Sequence, residues 1–257
     1  MNNVWLKFLL PVDDSSVSQP SIPAPGLTIG RALVLLVAYL VTNNLVTFLV
    51  LVFLPRSEAG DFTAAHYAFA GLCGFTASLA LIIRMANRVI GPALLETGET
   101  EAAWVLGPKG YLLLGLVGGI ACAALSLGWQ SLIPPGPDAA GVLFIHRLIT
   151  TPGWTVVFFW PVLVVIGPAL EELLFRGILL GALSQKTGTA IATTIVTLLF
   201  VATHFQVLVS YLPAVAPLAF LGIVLALLRF RARAVGPAIV LHATYNAILG
   251  IVALLTT

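Results

Sequence analysis

The chain has 257 residues, of which 60% are hydrophobic and only 9% are charged, and its 12 basic and 10 acidic residues give a net charge of +2 at neutral pH. Soluble domains contain about 25% charged residues, so this chain has too few charges to cover a water-soluble surface. The composition therefore excludes a soluble cytosolic enzyme and a disordered protein, and the small net charge excludes a nucleic-acid-binding protein. It predicts an all-α, polytopic integral membrane protein.

The first 26 residues differ from the rest of the chain. A short apolar patch at 4–10 is followed by a Pro- and Ser-rich stretch at 11–26. No small-residue cleavage site follows a long apolar core, so we do not expect a secretory signal. We predict that residues 1–26 form an interfacial segment and flexible tether, and that residues 27–257 form a single transmembrane domain.

Seven apolar stretches lack Asp, Glu, Lys and Arg and have the length of a membrane-spanning helix, about 17–25 residues. They are 32–54, 66–83, 110–128, 154–170, 187–208, 211–228 and 234–257. The segment 139–150 is shorter and carries Arg147, so we expect it to be interfacial or re-entrant. The sequence thus predicts about seven transmembrane helices, or eight if 139–150 also spans the membrane.

The basic residues predict an orientation for these spans. When the tract Arg229, Arg231 and Arg233 is placed in the cytoplasm and the spans alternate, only Arg56 and Arg147 fall on the outer side. Six further basic residues fall inside, namely Lys7, Arg31, Arg84, Arg88, Lys109 and Lys186. This asymmetry follows the positive-inside rule. We therefore expect a cytoplasmic N-terminus, an outside C-terminus, and a location in the plasma (inner) membrane.

Three charged residues interrupt the apolar sequence near 170. Glu171, Glu172 and Arg176 lie within six positions of each other, and a charge at mid-bilayer costs about 2.5–3.5 kcal/mol on insertion scales. Glu172 and Arg176 are one helical turn apart and can pair, whereas Glu171 points about 100° away and has no local cation. Glu171 is thus a candidate general base. A structural ion-pair cluster that holds helices in register is the alternative.

Two histidines lie inside predicted spans. His204 follows Phe200 by one helical turn, and Asn246 follows His242 by one turn. A single intramembrane histidine is as well explained by a hydrogen bond between helices. Taken with the charged residues, however, these side chains on three predicted helices indicate one shared site. Its predicted members are Glu171, Glu172, Arg176, His204, His242 and Asn246.

The three motifs EExxxR at 171–176, FxxxH at 200–204 and HxxxN at 242–246 resemble, in this order, the CPBP intramembrane protease family. That family includes the type II CAAX prenyl endopeptidases and the bacterial abortive-infection and bacteriocin self-immunity proteins. The resemblance covers roughly 171–246, and the first three predicted spans carry no matching signal.

The resemblance implies that residues 27–257 form a protease domain that hydrolyses a peptide bond within the membrane. The substrate would be a CAAX-type prenylated or other membrane-bound peptide. The resemblance further implies that Glu171 activates a water molecule and that His204 assists it. His242 and Asn246 would hold the water or stabilise the oxyanion. An amide suits the last role, because it donates a hydrogen bond without adding buried charge.

The involvement of a metal stays open at this level. Glu171, His204 and His242 could form a three-ligand site for a divalent metal such as zinc. The helical zinc motif HExxH is absent, and a glutamate-activated water uses the same residues without a metal. We favour the metal-independent chemistry. The expected partners are membrane lipid and a peptide or protein substrate, with no nucleic acid, and the sequence does not indicate an oligomeric state.

Two other functions use the same polar cluster. The chain could be a non-catalytic membrane self-immunity or scaffold protein, or it could be a proton-coupled transporter. Transport is disfavoured because the polar residues concentrate in the C-terminal half and no inverted repeat is apparent.

Overall fold

The computed structural model describes residues 27–57, 60–89, 104 and 106–256. The interfacial segment and tether predicted for residues 1–26 lie outside the described residues. Within the described ranges the regular secondary structure is helical, with no β-strand. The predicted all-α membrane fold is confirmed.

Nine helices, numbered here in chain order, make up the described structure, and a 3₁₀ turn at Leu212–Ala214 precedes the eighth. They are α1 Ile29–Phe53, α2 Ala64–Val89, α3 Lys109–Leu132, α4 Ala140–Thr150, α5 Trp154–Thr187, α6 Thr189–Thr203, α7 Phe205–Ser210, α8 Val215–Ala232 and α9 Gly236–Leu255.

Six of the described helices are long and apolar enough to cross a membrane, namely α1, α2, α3, α5, α9, and α8 with its preceding turn. The span predicted at 187–208 differs. It consists of the 15-residue α6 and the short α7, separated at His204, where the backbone (φ −91°, ψ 24°) leaves the α-helical conformation. At 1.5 Å per residue α6 is only about 22 Å long, less than the hydrocarbon core of about 30 Å. As predicted, the segment at 139–150 is too short to span, since α4 has 11 residues.

Helix α5 is the longest element, with 34 residues, and it carries Glu171 near its middle. Two stretches of it are π-helical, Val162–Ile166 and Leu173–Leu179. A π-helical turn contains about one residue more than an α-helical turn, so the side chains that follow are shifted to a different face of the helix. The Glu171–Glu172 pair lies directly between them. Such widened turns occur frequently at functional sites.

Helix α9 is held in place by close contact with α3. At Gly119 of α3, an added Cβ would lie 2.6 Å from the carbonyl oxygen of Leu241 and 2.7 Å from the Cβ of Thr244. Only glycine permits this approach of the two helix backbones. Further along, the buried hydroxyls of Ser126 and Tyr245 are hydrogen-bonded at 3.0 Å. These contacts fix the position of α9 and hence of His242.

The interior of the bundle surrounds α5. Leu170, Phe175 and Ile178 on this helix are fully buried and belong to the main hydrophobic core. Many large apolar side chains of α1 instead point outward, and the Phe53 side chain is 84% exposed. This arrangement suits a bilayer, where apolar side chains can cover the outer surface while the polar groups lie inside.

Candidate active site

The predicted ion pair on α5 is present. The Arg176 Nη1 donates to Glu172 Oε1 at 3.0 Å, and both side chains are fully buried. The other terminal nitrogen, Nη2, donates to the carbonyl oxygen of Gly222 on α8 at 3.1 Å. The guanidinium thus neutralises Glu172 and links α5 to α8.

His242 on α9 connects the two carboxylates. Its Nδ1 lies 2.9 Å from Glu172 Oε1, and its Nε2 lies 3.9 Å from Glu171 Oε2. A carboxylate paired with an arginine only accepts hydrogen bonds, so Nδ1 of His242 is the donor in its contact with Glu172. In a neutral ring Nε2 is then an acceptor that faces Glu171. Glu171 has no nearby cation on α5, and His242 provides its polar partner from α9.

The two glutamates differ in access. The Glu171 side chain is 14% exposed, whereas the Glu172 side chain is completely buried. Glu172 Oε1 already accepts from both Arg176 and His242. Glu171 is therefore the carboxylate that a water molecule can reach.

His204 lies at the end of α6, where its Nδ1 is 3.0 Å from the carbonyl oxygen of Phe200. In the described part of the chain it makes no hydrogen bond or ion pair with Glu171 or His242. Its connection to the site is the Phe200 ring, whose centroid is 4.9 Å from the His204 ring and 5.8 Å from the His242 ring. The same ring lies 4.6 Å from the Arg176 guanidinium carbon. Phe200 is thus the shared apolar neighbour of three predicted site residues.

Asn246, one turn beyond His242 on α9, contacts α5. Its Nδ2 donates to the carbonyl oxygen of Leu163 at 2.8 Å. Leu163 belongs to the first π-helical stretch, before the glutamate pair. One of the two amide hydrogens of Asn246 is therefore donated to the backbone of α5.

The three candidate metal ligands do not form a three-ligand site in this arrangement. Across the ranges that the structure describes, no three His, Cys, Asp or Glu side chains are grouped as a metal ion requires. Of the candidates Glu171, His204 and His242, only the first and last face each other. This donor set does not fit a zinc site.

Sequence reasoning missed the part played by Gly222. An added Cβ at this position would lie 2.9 Å from the Thr197 Cγ2 and 3.5 Å from Arg176 Nη2. The glycine therefore lets α6, α8 and the guanidinium come together. In the sequence, Gly222 is a glycine in the middle of an apolar helix. Such a glycine indicates that another helix packs closely against it in a membrane protein, but it does not identify that helix.

Part of the chain is similar to a known protein family. A family model described as type II CAAX prenyl endopeptidase Rce1-like matches residues 153–248, which include all six predicted site residues. No curated protein and no solved structure gave a match. Residues 153–248 are thus similar to the Rce1-like family of type II CAAX prenyl endopeptidases, in agreement with the CPBP resemblance of the three motifs.

Proposed function

We propose that this chain is an intramembrane endopeptidase in which Glu171 and His242 hold and activate the water that attacks the peptide bond. The observation that carries the proposal is the distance of 3.9 Å between Glu171 Oε2 and His242 Nε2. It exceeds the range of a direct hydrogen bond, and both atoms accept hydrogen bonds when Nδ1 carries the ring proton. A water molecule about 2.8 Å from each atom would donate to both and fill this gap.

In the proposed reaction Glu171 removes a proton from this water while the oxygen attacks the carbonyl carbon of the scissile bond. A tetrahedral intermediate forms, and its oxygen carries the negative charge. Glu171 then passes the proton to the amide nitrogen, the carbon–nitrogen bond breaks, and a carboxylic acid and an amine leave. His242 orients the water, while Glu172 and Arg176 fix the tautomer and position of His242, as in other acid–histidine pairs.

The remaining roles come from the family resemblance. We propose that His204 assists the reaction from beside the Phe200 ring, and that the substrate is a CAAX-type prenylated or other membrane-bound peptide. The match to the type II CAAX prenyl endopeptidase family supports this substrate class.

We also propose that the chain lies in the plasma membrane with its N-terminus in the cytoplasm and its C-terminus outside. This orientation requires that α6 and α7 together make one crossing in addition to those of the six long helices. Arg56 and Arg147, the two basic residues predicted to be outside, line one cavity of about 430 Å³. They therefore lie at the same end of the bundle, which supports this arrangement.

The decisive test is Glu171→Gln, which keeps the size of the side chain but cannot take the proton. With purified protein in proteoliposomes and a prenylated CAAX peptide, we expect cleavage to fall by about 10²–10⁴-fold. The melting temperature should stay near that of the wild type, since Glu171 makes no hydrogen bond within the described residues.

Glu172→Gln serves as the comparison, because it removes the ionised partner of a buried arginine and should lower both melting temperature and activity. An unprenylated peptide of the same sequence reports whether the lipid is needed. Wild-type cleavage by Glu171→Gln would refute the proposed base.

A further inference from the structure

Helix α5 contains a carbonyl group that its own backbone cannot satisfy. In the stretch Val162–Ile166 the N–H of Gly167 donates to Val162, five residues earlier, so it does not donate to Leu163. The next donor in the same pattern would be residue 168, which is proline and has no N–H. Leu163 is therefore left without a regular helical donor. Inside a bilayer no bulk water replaces it, and an unsatisfied carbonyl is costly there.

Asn246 supplies the missing hydrogen bond. Its Nδ2 lies 2.8 Å from the Leu163 oxygen. On the same helix, one turn earlier, His242 donates to Glu172 at 2.9 Å. Helix α9 thus binds α5 at two points, one on each side of Glu171 along the α5 sequence. Together they determine where the Glu171 carboxylate lies relative to the His242 ring.

We infer that Asn246 is a positioning residue that caps the Leu163 carbonyl exposed by Pro168, and that this cap sets the distance between Glu171 and His242. The inference concerns the same site as the proposed function and rests on it for the effect on catalysis. It differs from a direct role at the oxyanion, in which the amide would donate to the substrate instead of to the helix. If Asn246 caps the Leu163 carbonyl, a change at Pro168 that restores an N–H should rescue the loss of the asparagine. If Asn246 donates to the oxyanion, the same change should give no rescue.

The experiment is a double-mutant cycle between positions 246 and 168. Asn246→Ala leaves Leu163 without a donor, and we expect kcat to fall by about 10²-fold, the typical cost of a misplacement of about 1 Å, with KM changed by less than about threefold. Pro168→Ala restores an N–H in the register that can reach Leu163. Alone, Pro168→Ala should have a kcat close to that of the wild type. In the double variant, kcat should be at least about tenfold higher than in Asn246→Ala.

Two controls separate a specific rescue from general stabilisation. Pro161→Ala changes the other proline of α5, which is not in register with Leu163, and should not rescue Asn246→Ala. Asn44→Ala removes an asparagine whose amide bonds Leu40 within its own helix at 2.8 Å, and should leave kcat unchanged. If Asn246→Ala does not fold, Asn246→Leu, which keeps about the size of the side chain but has no hydrogen-bond donor, takes its place.

A second readout does not depend on catalysis. In the Glu171→Gln background, Asn246→Ala should lower the melting temperature by a few degrees, and Pro168→Ala should restore it. If wild-type protein cleaves no peptide but this coupling is present, the proposed function fails while the cap stands. If the double variant is as slow as Asn246→Ala, or if the two changes act additively on melting, the cap is refuted and a direct oxyanion role is favoured.

Discussion

Removal of the Arg176 guanidinium should strongly destabilise the protein. Arg176→Met keeps an unbranched, apolar side chain but leaves Glu172 as a fully buried carboxylate without its cation. Breaking a buried ion pair in this way costs about 3–5 kcal/mol. The Gly222 carbonyl also loses its hydrogen-bond donor, which costs about 1–3 kcal/mol. The Phe200 ring loses the cation that lies 4.6 Å from its centroid, which costs about 0.5–2 kcal/mol.

These contributions are not additive, so we expect a total loss of about 4–6 kcal/mol. For a protein of this size each kcal/mol shifts the melting temperature by about 2–4 °C, which gives a decrease on the order of 10–20 °C. The measurement is thermal unfolding in detergent, followed by intrinsic tryptophan fluorescence.

Two comparison variants make the result specific to the buried pair. Arg147→Met removes an exposed guanidinium that has no ion-pair partner in the described structure, and it should melt close to the wild type. The double variant Glu172→Gln/Arg176→Met removes both charges and should recover much of the loss, because no buried charge remains unpaired. A melting temperature for Arg176→Met within about 2 °C of the wild type would refute the reasoning.

Three further outcomes follow from the same geometry. Gly119→Ala should lower the free energy of unfolding by about 1–3 kcal/mol, because the added Cβ would clash with the Leu241 carbonyl oxygen. Gly128→Ala should leave it unchanged, because a Cβ there has no neighbour within 4 Å. Equal melting curves for the two variants would contradict the close packing of α3 and α9. Phe200→Leu should reduce cleavage more than a buried Phe-to-Leu change elsewhere, such as Phe175→Leu. Phe200 lies against the rings of His204 and His242, and within the described residues Phe175 has no ring contact with either histidine. A chelator such as 1,10-phenanthroline should leave cleavage unchanged, since the described residues offer no three-ligand group; loss of activity that added zinc restores would overturn the metal-free mechanism.

The features that sequence reasoning predicted well are local ones. The helical class follows from long apolar stretches, and the Glu172–Arg176 pair follows from a spacing of one helical turn. The family resemblance depends on motifs that are short and ordered along the chain. Each of these depends on residues that are neighbours in sequence, so no knowledge of helix packing was needed.

The features that were not predictable depend on contacts between helices. The apolar content of 187–208 predicts one span, but the helix ends at Thr203 beside His204. The bond from Nδ1 of His242 to Glu172 depends on the register of α9 against α5, which the glycines of α3 help to set. Hydropathy also does not report which backbone carbonyl loses its donor, so the partner of Asn246 could be found only from the structure.

The location of the Glu172–Arg176 pair on a single helix also bears on biogenesis. Two opposite charges one turn apart can neutralise each other as soon as α5 becomes helical, before any other helix is in place. The segment can therefore enter the bilayer from the translocon with one net negative charge within it, on Glu171, instead of three separate ions. A pair formed between two helices would require the partner to be synthesised first, whereas α8 and α9, which contact this pair in the mature protein, emerge later from the ribosome.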